Sequence, residues 1–134
     1  DYYSSFLDQL AQTIHDEHAG QIIGAVFVMC GLPLAGKTQW IHDHKPLEPG
    51  VAVYIDGTSH KADIRKFITD RLRRLTAAPI NCVRVRISKQ VCIERSSRKF
   101  RGANHIRMEQ AIESVAVEFE EVSLAEPFNA IILI

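Results

Sequence analysis

The segment that decides the fold of this chain reads Gly31-Leu32-Pro33-Leu34-Ala35-Gly36-Lys37-Thr38. It has the spacing G-x-x-x-x-G-K-T and directly follows an apolar run, residues 25–30. Glycines at both ends let the backbone curl until its N–H groups point at phosphate oxygens, while Lys37 reaches the outer phosphates and Thr38 holds Mg²⁺. A chance match in a glycine-containing turn would lack the strand before the motif and the helix after it. We therefore predict that residues 31–38 form a phosphate loop, which binds ATP or another nucleoside triphosphate.

The composition indicates one compact domain over residues 1–134. The chain is 46% hydrophobic, which is enough for a core, and it contains no apolar run long enough to span a membrane. It begins at Asp1 without methionine or a charged-then-apolar leader, so we expect a piece of a larger protein that is not exported. Three cysteines without C-x-x-C spacing predict buried free thiols in a reducing intracellular compartment: Cys30, Cys82 and Cys92.

Helices and strands are predicted to alternate along the chain. An apolar stripe predicts an amphipathic N-terminal helix over residues 2–18, which ends at Gly20 and packs on the domain. The elements predicted after it are strand 23–30, helix 37–44, strand 51–55, helix 62–75, strand 82–87, a helix from about 90, helix 105–122 and strand 130–134. This order predicts an α/β class: a three-layer P-loop NTPase or kinase fold with about four parallel strands and helices on both faces. Ligands would bind at the carboxyl ends of the strands.

Side-chain patterns refine three of these elements. In strand 82–87, Val83 and Val85 alternate with Arg84 and Arg86, which predicts one face that is wet or covered by polar groups. The continuous apolar run at 130–134 predicts a buried strand. Trp40 can stack on a base, but its spacing after the phosphate loop favours packing beneath the helix.

The charge of the chain is unevenly distributed. Net charge is zero, yet 13 of the 16 basic residues lie between positions 61 and 101, where there are three acids. The basic residues are Lys61, Arg65, Lys66, Arg71, Arg73, Arg74, Arg84, Arg86, Lys89, Arg95, Arg98, Lys99 and Arg101. Such a field attracts a polyanion, so RNA or DNA is a predicted partner. The alternative is a solvated helix face whose arginines pair with acids of the C-terminal helix.

Short motifs beyond the phosphate loop carry a resemblance to a known family. The motifs are Gln39-Trp40, Ile55-Asp56-Gly57-Thr58, Arg65, the segment 91–98 (VCIERSSR), and two segments near the C-terminus, 118–120 (EFE) and 124–132 (LAEPFNAII). From about Val26 to its last residue, the chain resembles the kinase domain of the polynucleotide 5′-hydroxyl kinase family. The resemblance implies that Asp56 and Thr58 form the family's Asp-x-Thr signature. It also implies that Arg95 and Arg98 are lid arginines that cover the phosphates.

The implied activity is transfer of the terminal phosphoryl group of ATP to a 5′-hydroxyl of RNA or DNA. Catalytic roles then fall to Lys37, Asp56, Arg95 and Arg98, and Thr38 and Asp56 are the predicted Mg²⁺ residues. Each role has an alternative. Asp56 can be an ordinary turn former before Gly57, and the arginines can belong to a solvated basic loop, with Arg101 as a third lid candidate.

The chain departs from the family in one respect. Family members carry a further strand and helix before the Asp-x-Thr strand, and that strand supplies an aspartate as general base. Only about a dozen residues separate Thr38 from Val51 here, and Asp43 is the sole aspartate among them. The resemblance therefore leaves two functions open: a kinase that works without this base, or a nucleotide-binding module within a larger nucleic-acid-associated protein.

Overall fold

The computed structural model describes residues 8, 9, 12, 23–45 and 51–134. Within them the strands are β1 (Ile23–Cys30), β2 (Val51–Ile55), β3 (Ile80–Arg84) and β4 (Ala130–Leu133). The helices that follow in chain order are α1 (Lys37–His44), α2 (Ala62–Leu75), α3 (Lys89–Lys99) and α4 (Gly102–Glu118). The predicted helix 2–18 lies outside the described residues except at positions 8, 9 and 12, which are helical.

The four strands form one parallel sheet in the order β2-β1-β3-β4. Val28 in the central strand β1 pairs with Ile55 of β2 and with Cys82 of β3. The predicted α/β class and the parallel sheet of four strands are therefore confirmed. Because parallel strands end at the same edge, this topology brings the residues that follow β1 and β2 together.

Alternate residues of the strands pack on opposite faces of the sheet. Val26 and Val28 contact the α2 side, where Ile68 and Leu72 are buried. The opposite face is covered by a cluster that includes Phe27 and Met29 of β1, Trp40 and Ile41 of α1, Cys92 of α3, and Ile112 of α4. Helices therefore lie on both faces, as predicted. All three cysteines are buried and free.

The third strand lies earlier in the chain than the sequence indicated, at Ile80–Arg84 instead of 82–87. Ile80 is fully buried and pairs with Val26, so the strand begins directly after Pro79. It ends early because β1 turns away at Gly31, which leaves β3 without its central neighbour. The prediction of a polar cover is confirmed, since the Glu121 carboxylate accepts two hydrogen bonds from the buried guanidinium of Arg84.

The last helix is also displaced, at Gly102–Glu118 instead of 105–122. Its inward side is as predicted, with Ile112 buried and Val115, Ala116 and Phe119 packed against the same cluster. The helix ends early because the following segment bonds elsewhere: Glu120 N–H donates to the His60 carbonyl oxygen at 2.7 Å. No helix in the described part of the chain is long and apolar enough to cross a membrane.

The prediction that the last strand is buried is wrong. β4 is present at Ala130–Leu133, but Leu133 is 55% and Ile134 43% exposed. The reason is topological: among the described strands β4 pairs with β3 alone and forms an edge of the sheet. An apolar run does not distinguish a central strand from an edge strand.

Candidate functional site

The predicted phosphate loop, residues 31–38, turns the chain from the end of β1 into α1. Gly31 N–H donates to the Thr58 carbonyl oxygen at 3.0 Å, which fixes the start of the loop against the end of β2. A Cβ atom at Gly31 would lie 2.8 Å from the Val85 carbonyl oxygen, so only glycine fits there. Gly36 precedes α1 with φ 100°, in the left-handed region where glycine alone is unstrained. Both glycines of the motif thus stand at positions where the backbone requires glycine.

Lys37 is buried within this loop. Its ammonium donates to the carbonyl oxygens of Gly31 and Leu32, both at 2.7 Å, and the side chain is 7% exposed. Burial lowers the pKa of the Lys37 ammonium from its ordinary value, and the nearby Asp56 carboxylate partly opposes this decrease. The loop therefore encloses a cation at the start of a helix, where backbone N–H groups also favour an anion.

The two residues predicted to hold Mg²⁺ lie in direct contact. Thr38 Oγ1 donates to Asp56 Oδ2 at 2.7 Å, and both residues are exposed. Hydroxyl and carboxylate oxygens are ligands of the type that Mg²⁺ prefers. Among the residues that the structure describes, no group of three or more His, Cys, Asp or Glu is placed to hold a metal. A pair suits Mg²⁺, which usually takes one or two carboxylates and completes its shell with phosphates and water.

A cleft with a volume of about 340 Å³ opens beside the phosphate loop. Its lining residues come from the loop, the first turn of α1 and helix α3: Leu34, Gly36, Lys37, Thr38, Gln39, Arg95 and Lys99. Arg95 Nη1 donates to the Leu34 carbonyl oxygen at 2.9 Å, so α3 rests directly on the loop. Leu34 itself has φ 65°, a strained conformation for a non-glycine residue. One predicted lid arginine therefore contacts the phosphate loop.

The second predicted lid arginine has a different environment. Arg98 is exposed and does not line the cleft, whereas Lys99, which was not singled out from the sequence, does. Arg98 and Lys99 follow Arg95 by three and four residues, and both spacings bring side chains to one side of a helix. The packing of α3 therefore decides which of the two lines the cleft, and the sequence carries no signal that separates them.

A second cleft of about 390 Å³ shares Gly36, Gln39 and Arg95 with the first. Its other lining residues are mainly apolar: Ala35, Trp40, Asp43, Val85, Ile87 and Ile134. Trp40 also packs against Phe27 with ring centroids 6.0 Å apart and stacks on His44 at 4.3 Å. The predicted packing role of Trp40 is confirmed, and the same residue also lines this cleft. Apolar walls with a few polar groups are typical of sites for planar ligands.

Two arginines of the basic segment are internal and bind acids of the C-terminal segment. Arg65 is fully buried, and its Nε donates to Glu126 Oε1 at 2.6 Å. Arg84 is 8% exposed and donates to both carboxylate oxygens of Glu121. This hydrogen bonding lowers the pKa of the Glu121 carboxyl. Arg65 and Arg84 are therefore removed from any surface that could meet a polyanion.

Arg65 also holds the loop that carries Asp56. Its Nη1 donates to the Ser59 carbonyl oxygen at 2.8 Å. Ser59 has φ 45° and is 1% exposed, so a strained backbone position is fixed by a buried guanidinium. The bonds from Gly31 to Thr58 and from Thr38 to Asp56 complete the link between this loop and the phosphate loop.

Comparison with known proteins found no matching family model and no matching curated protein. The chemistry of the site is therefore inferred from its own residues: a buried lysine, a hydroxyl–carboxylate pair and a basic helix face around one phosphate loop.

Proposed function

We propose that this chain is a P-loop kinase domain that transfers the terminal phosphoryl group of ATP to a 5′-hydroxyl of RNA or DNA. The observation that carries the proposal is the 2.7 Å contact between Thr38 and Asp56 beside the buried Lys37. Lys37 and Thr38 from the start of α1 meet Asp56 from the end of β2 at the carboxyl edge of a parallel sheet, where ligands of such sheets bind. Phosphoryl transfer depends mainly on positioning and on charge stabilisation, which such groups provide.

Each cationic group has a place in this proposal. Lys37 and the backbone N–H groups of residues 31–38 bind the phosphates, and Arg95 and Lys99 stabilise charge on them from α3. Thr38 and Asp56 hold Mg²⁺, which when bound neutralises charge on the phosphate oxygens. Arg98 remains a predicted contact, which requires α3 to shift over a bound nucleotide because the side chain lies outside the cleft.

The second cleft supports binding of a whole nucleotide. It adjoins the phosphate cleft through Gly36, Gln39 and Arg95, and its apolar walls include the ring of Trp40. A purine ring fits a pocket of this character, in which aromatic and aliphatic groups supply contact area and a few polar groups give orientation. We place the base of ATP in this cleft and its phosphates in the first.

The acceptor is proposed to bind near the junction of α3 and α4. Arg98, Lys99 and Arg101 are exposed there beside the half-buried Phe100 in the chain, and the Lys99 ammonium lies 5.6 Å from the centre of the Phe100 ring. Cations beside an aromatic ring suit a single strand, since cations track the phosphates and a base can stack on the ring. Arg65 and Arg84 of the predicted basic field are paired inside the protein. The basic residues at this junction, in contrast, stay exposed beside the proposed lid helix.

Lys37→Ala is expected to weaken binding of ATP with Mg²⁺ by about 30- to 150-fold, which is about 2 to 3 kcal/mol. The variant loses the charge-assisted hydrogen bonds from its ammonium to phosphate. Isothermal titration calorimetry measures the change, with Lys45→Ala as the control because Lys45 is an exposed lysine at the end of the same helix. GTP is expected to compete in part. Equal affinity of the Lys37 variant and wild type would contradict a phosphate site in this loop.

Single-stranded RNA or DNA is expected to bind with an affinity that falls steeply as salt rises, because bound counterions are released. The double variant Arg98→Gln/Arg101→Gln should make the slope of log K against log salt shallower by about 1.4, the contribution of two phosphate contacts. Fluorescence anisotropy with a labelled oligonucleotide gives both slopes. The control Lys66→Gln/Arg74→Gln removes two exposed charges from α2 and should leave the slope unchanged. Salt-independent binding would mean that the basic residues of the junction contact solvent and not the phosphates of a nucleic acid.

One observation favours a second function, that of a nucleotide-binding module without transferase activity. Residues 39–50 leave no space for the further strand and helix that carry the general base in the family that this chain resembles. A transfer assay with radiolabelled ATP and 5′-hydroxyl oligonucleotides separates the two functions, and 5′-phosphorylated oligonucleotides serve as the blocked acceptor. Labelling of the 5′-hydroxyl strands alone supports the kinase. Tight ATP binding without labelling supports the module.

A further inference from the structure

Hydrogen bonds join three side chains beyond β2 that the proposed reaction has not used. Thr58 Oγ1 lies 2.9 Å from His60 Nδ1, and His60 Nε2 lies 3.4 Å from Glu118 Oε2. The imidazole is 14% exposed and the carboxylate 55% exposed. A hydroxyl, an imidazole and a carboxylate thus form a continuous path from the loop after β2 to the solvent at the end of α4.

This path begins beside the phosphate loop. Thr58 follows Asp56 by two residues, and its carbonyl oxygen accepts the hydrogen bond from Gly31 N–H at 3.0 Å. The backbone around it is fixed at two further points. The Ser59 carbonyl oxygen accepts from Arg65 Nη1, and the His60 carbonyl oxygen accepts from Glu120 N–H. The strained φ of 45° at Ser59 is maintained by these contacts, and it sets where Thr58 and His60 lie on either side.

We propose that Thr58, His60 and Glu118 form a proton relay that takes the proton from the acceptor hydroxyl, in the role of the aspartate base that the shortened chain lacks. The inference rests on the proposed function. The acceptor oxygen forms its bond to the γ-phosphorus as the bond from that phosphorus to the leaving oxygen of ADP breaks. The proton of the acceptor passes to Thr58 Oγ1, and the proton of Thr58 passes to His60 Nδ1.

The geometry supports the steps of this relay that follow Thr58. The relay requires the tautomer in which His60 Nε2 carries the proton and Nδ1 accepts, and Glu118 favours it by accepting from Nε2. The imidazolium formed is stabilised by Glu118 and returns its proton to water at this partly exposed end. The same arrangement of hydroxyl, imidazole and carboxylate activates hydroxyl groups in unrelated enzymes.

Several charged groups lie near His60. Glu118 Oε2 lies 3.4 Å from His60 Nε2, Glu120 N–H donates to the His60 carbonyl oxygen, Lys61 is the next residue along the chain, and Arg65 of α2 contacts Ser59. A base must be unprotonated to accept a proton, so the rate of transfer should rise with pH from acidic values and then level off.

The test measures kcat for transfer to a 5′-hydroxyl oligonucleotide between about pH 5 and pH 9, together with ATP affinity by calorimetry. His60→Gln should lower kcat by about 100- to 1,000-fold and abolish the decrease of kcat at low pH, while ATP affinity stays within about twofold. Thr58→Val should lose activity similarly, whereas Thr58→Ser, which keeps the hydroxyl, should retain most of it. Glu118→Gln should cause a smaller loss, because a neutral amide stabilises the imidazolium less than the carboxylate does.

His42→Gln is the control for a lost histidine, because His42 is exposed on α1. Thermal unfolding confirms that each variant folds. If His60→Gln does not fold, Glu118→Gln and the two Thr58 variants decide the matter, since Glu118 is exposed at the end of its helix. An active wild type whose pH profile is unchanged by His60→Gln, or by Thr58→Val, overturns the relay alone. A wild type that binds ATP but transfers to no 5′-hydroxyl overturns the proposed function and the relay with it.

Discussion

Glu126→Ala is expected to lower the free energy of unfolding by about 3 to 5 kcal/mol, a large part of the stability of a domain of this size. The Glu126 carboxylate binds the Arg65 guanidinium at two points, Nε at 2.6 Å and Nη2 at 3.2 Å. Arg65 is fully buried, so removal of Glu126 leaves a charge in the interior without a counterion. Urea unfolding measures the loss as a lower midpoint at constant m value.

Two comparisons separate this mechanism from a simple loss of contacts. Glu113→Ala breaks the half-exposed ion pair with Lys89, and should change stability by less than about 1 kcal/mol. The double variant Arg65→Met/Glu126→Leu removes both charges and should recover part of the stability that Glu126→Ala loses. If Glu126→Ala costs no more than Glu113→Ala, the buried pair is not a major source of stability.

Arg65 and Arg84 illustrate what the sequence could not reveal about the basic segment. Their carboxylate partners lie 61 and 37 residues further along the chain. A count of charges over a short stretch of sequence includes the two arginines but omits carboxylates so far along the chain. For this reason, the sequence places both arginines in the basic field that would attract a polyanion. The same pairs explain why α4 ends at Glu118, since the segment beyond it follows Arg65, Arg84 and His60 instead of the helix axis.

Features that depend on short-range spacing were predictable. The bounds of β1, α1, β2 and α2 agree with the periodicity of the sequence, and the contact of Thr38 with Asp56 follows from two parallel strands that end at one edge. Features that depend on the rotation of a helix or on the order of the strands in the sheet were not predictable from the sequence. A helix from about residue 90 was predictable, but whether Arg98 or Lys99 lines the cleft beside residues 31–38 is set by how α3 packs on the sheet. The exposure of β4 depends likewise on its place at the edge.

Asp56→Asn is expected to lower kcat for phosphoryl transfer by about 100- to 1,000-fold, which is about 3 to 4 kcal/mol in transition-state free energy. Asparagine keeps the shape of the side chain and can still accept the hydrogen bond from Thr38, but it lacks the charge that attracts Mg²⁺. The effect should appear in kcat at saturating ATP, and the Mg²⁺ concentration needed for half-maximal rate should rise. Asp63→Asn is the matched control, because it removes an exposed carboxylate from the first turn of α2.

The outcome for Asp56 also ranks the two proposed functions. Mg²⁺-dependent transfer that survives undiminished in Asp56→Asn would place the metal, and therefore the site, elsewhere, whatever the fold. A wild type that binds ATP tightly but labels no 5′-hydroxyl would remove the kinase and leave the nucleotide-binding module. The physical cause would then lie between Thr38 and Val51, where the chain is too short for the element that holds the acceptor and its base. Activity that needs both Asp56 and His60 would mean that the loop after β2 has taken over the work of that missing element, because its residues 56–60 carry the proposed metal ligand and two of the three relay residues, Thr58 and His60.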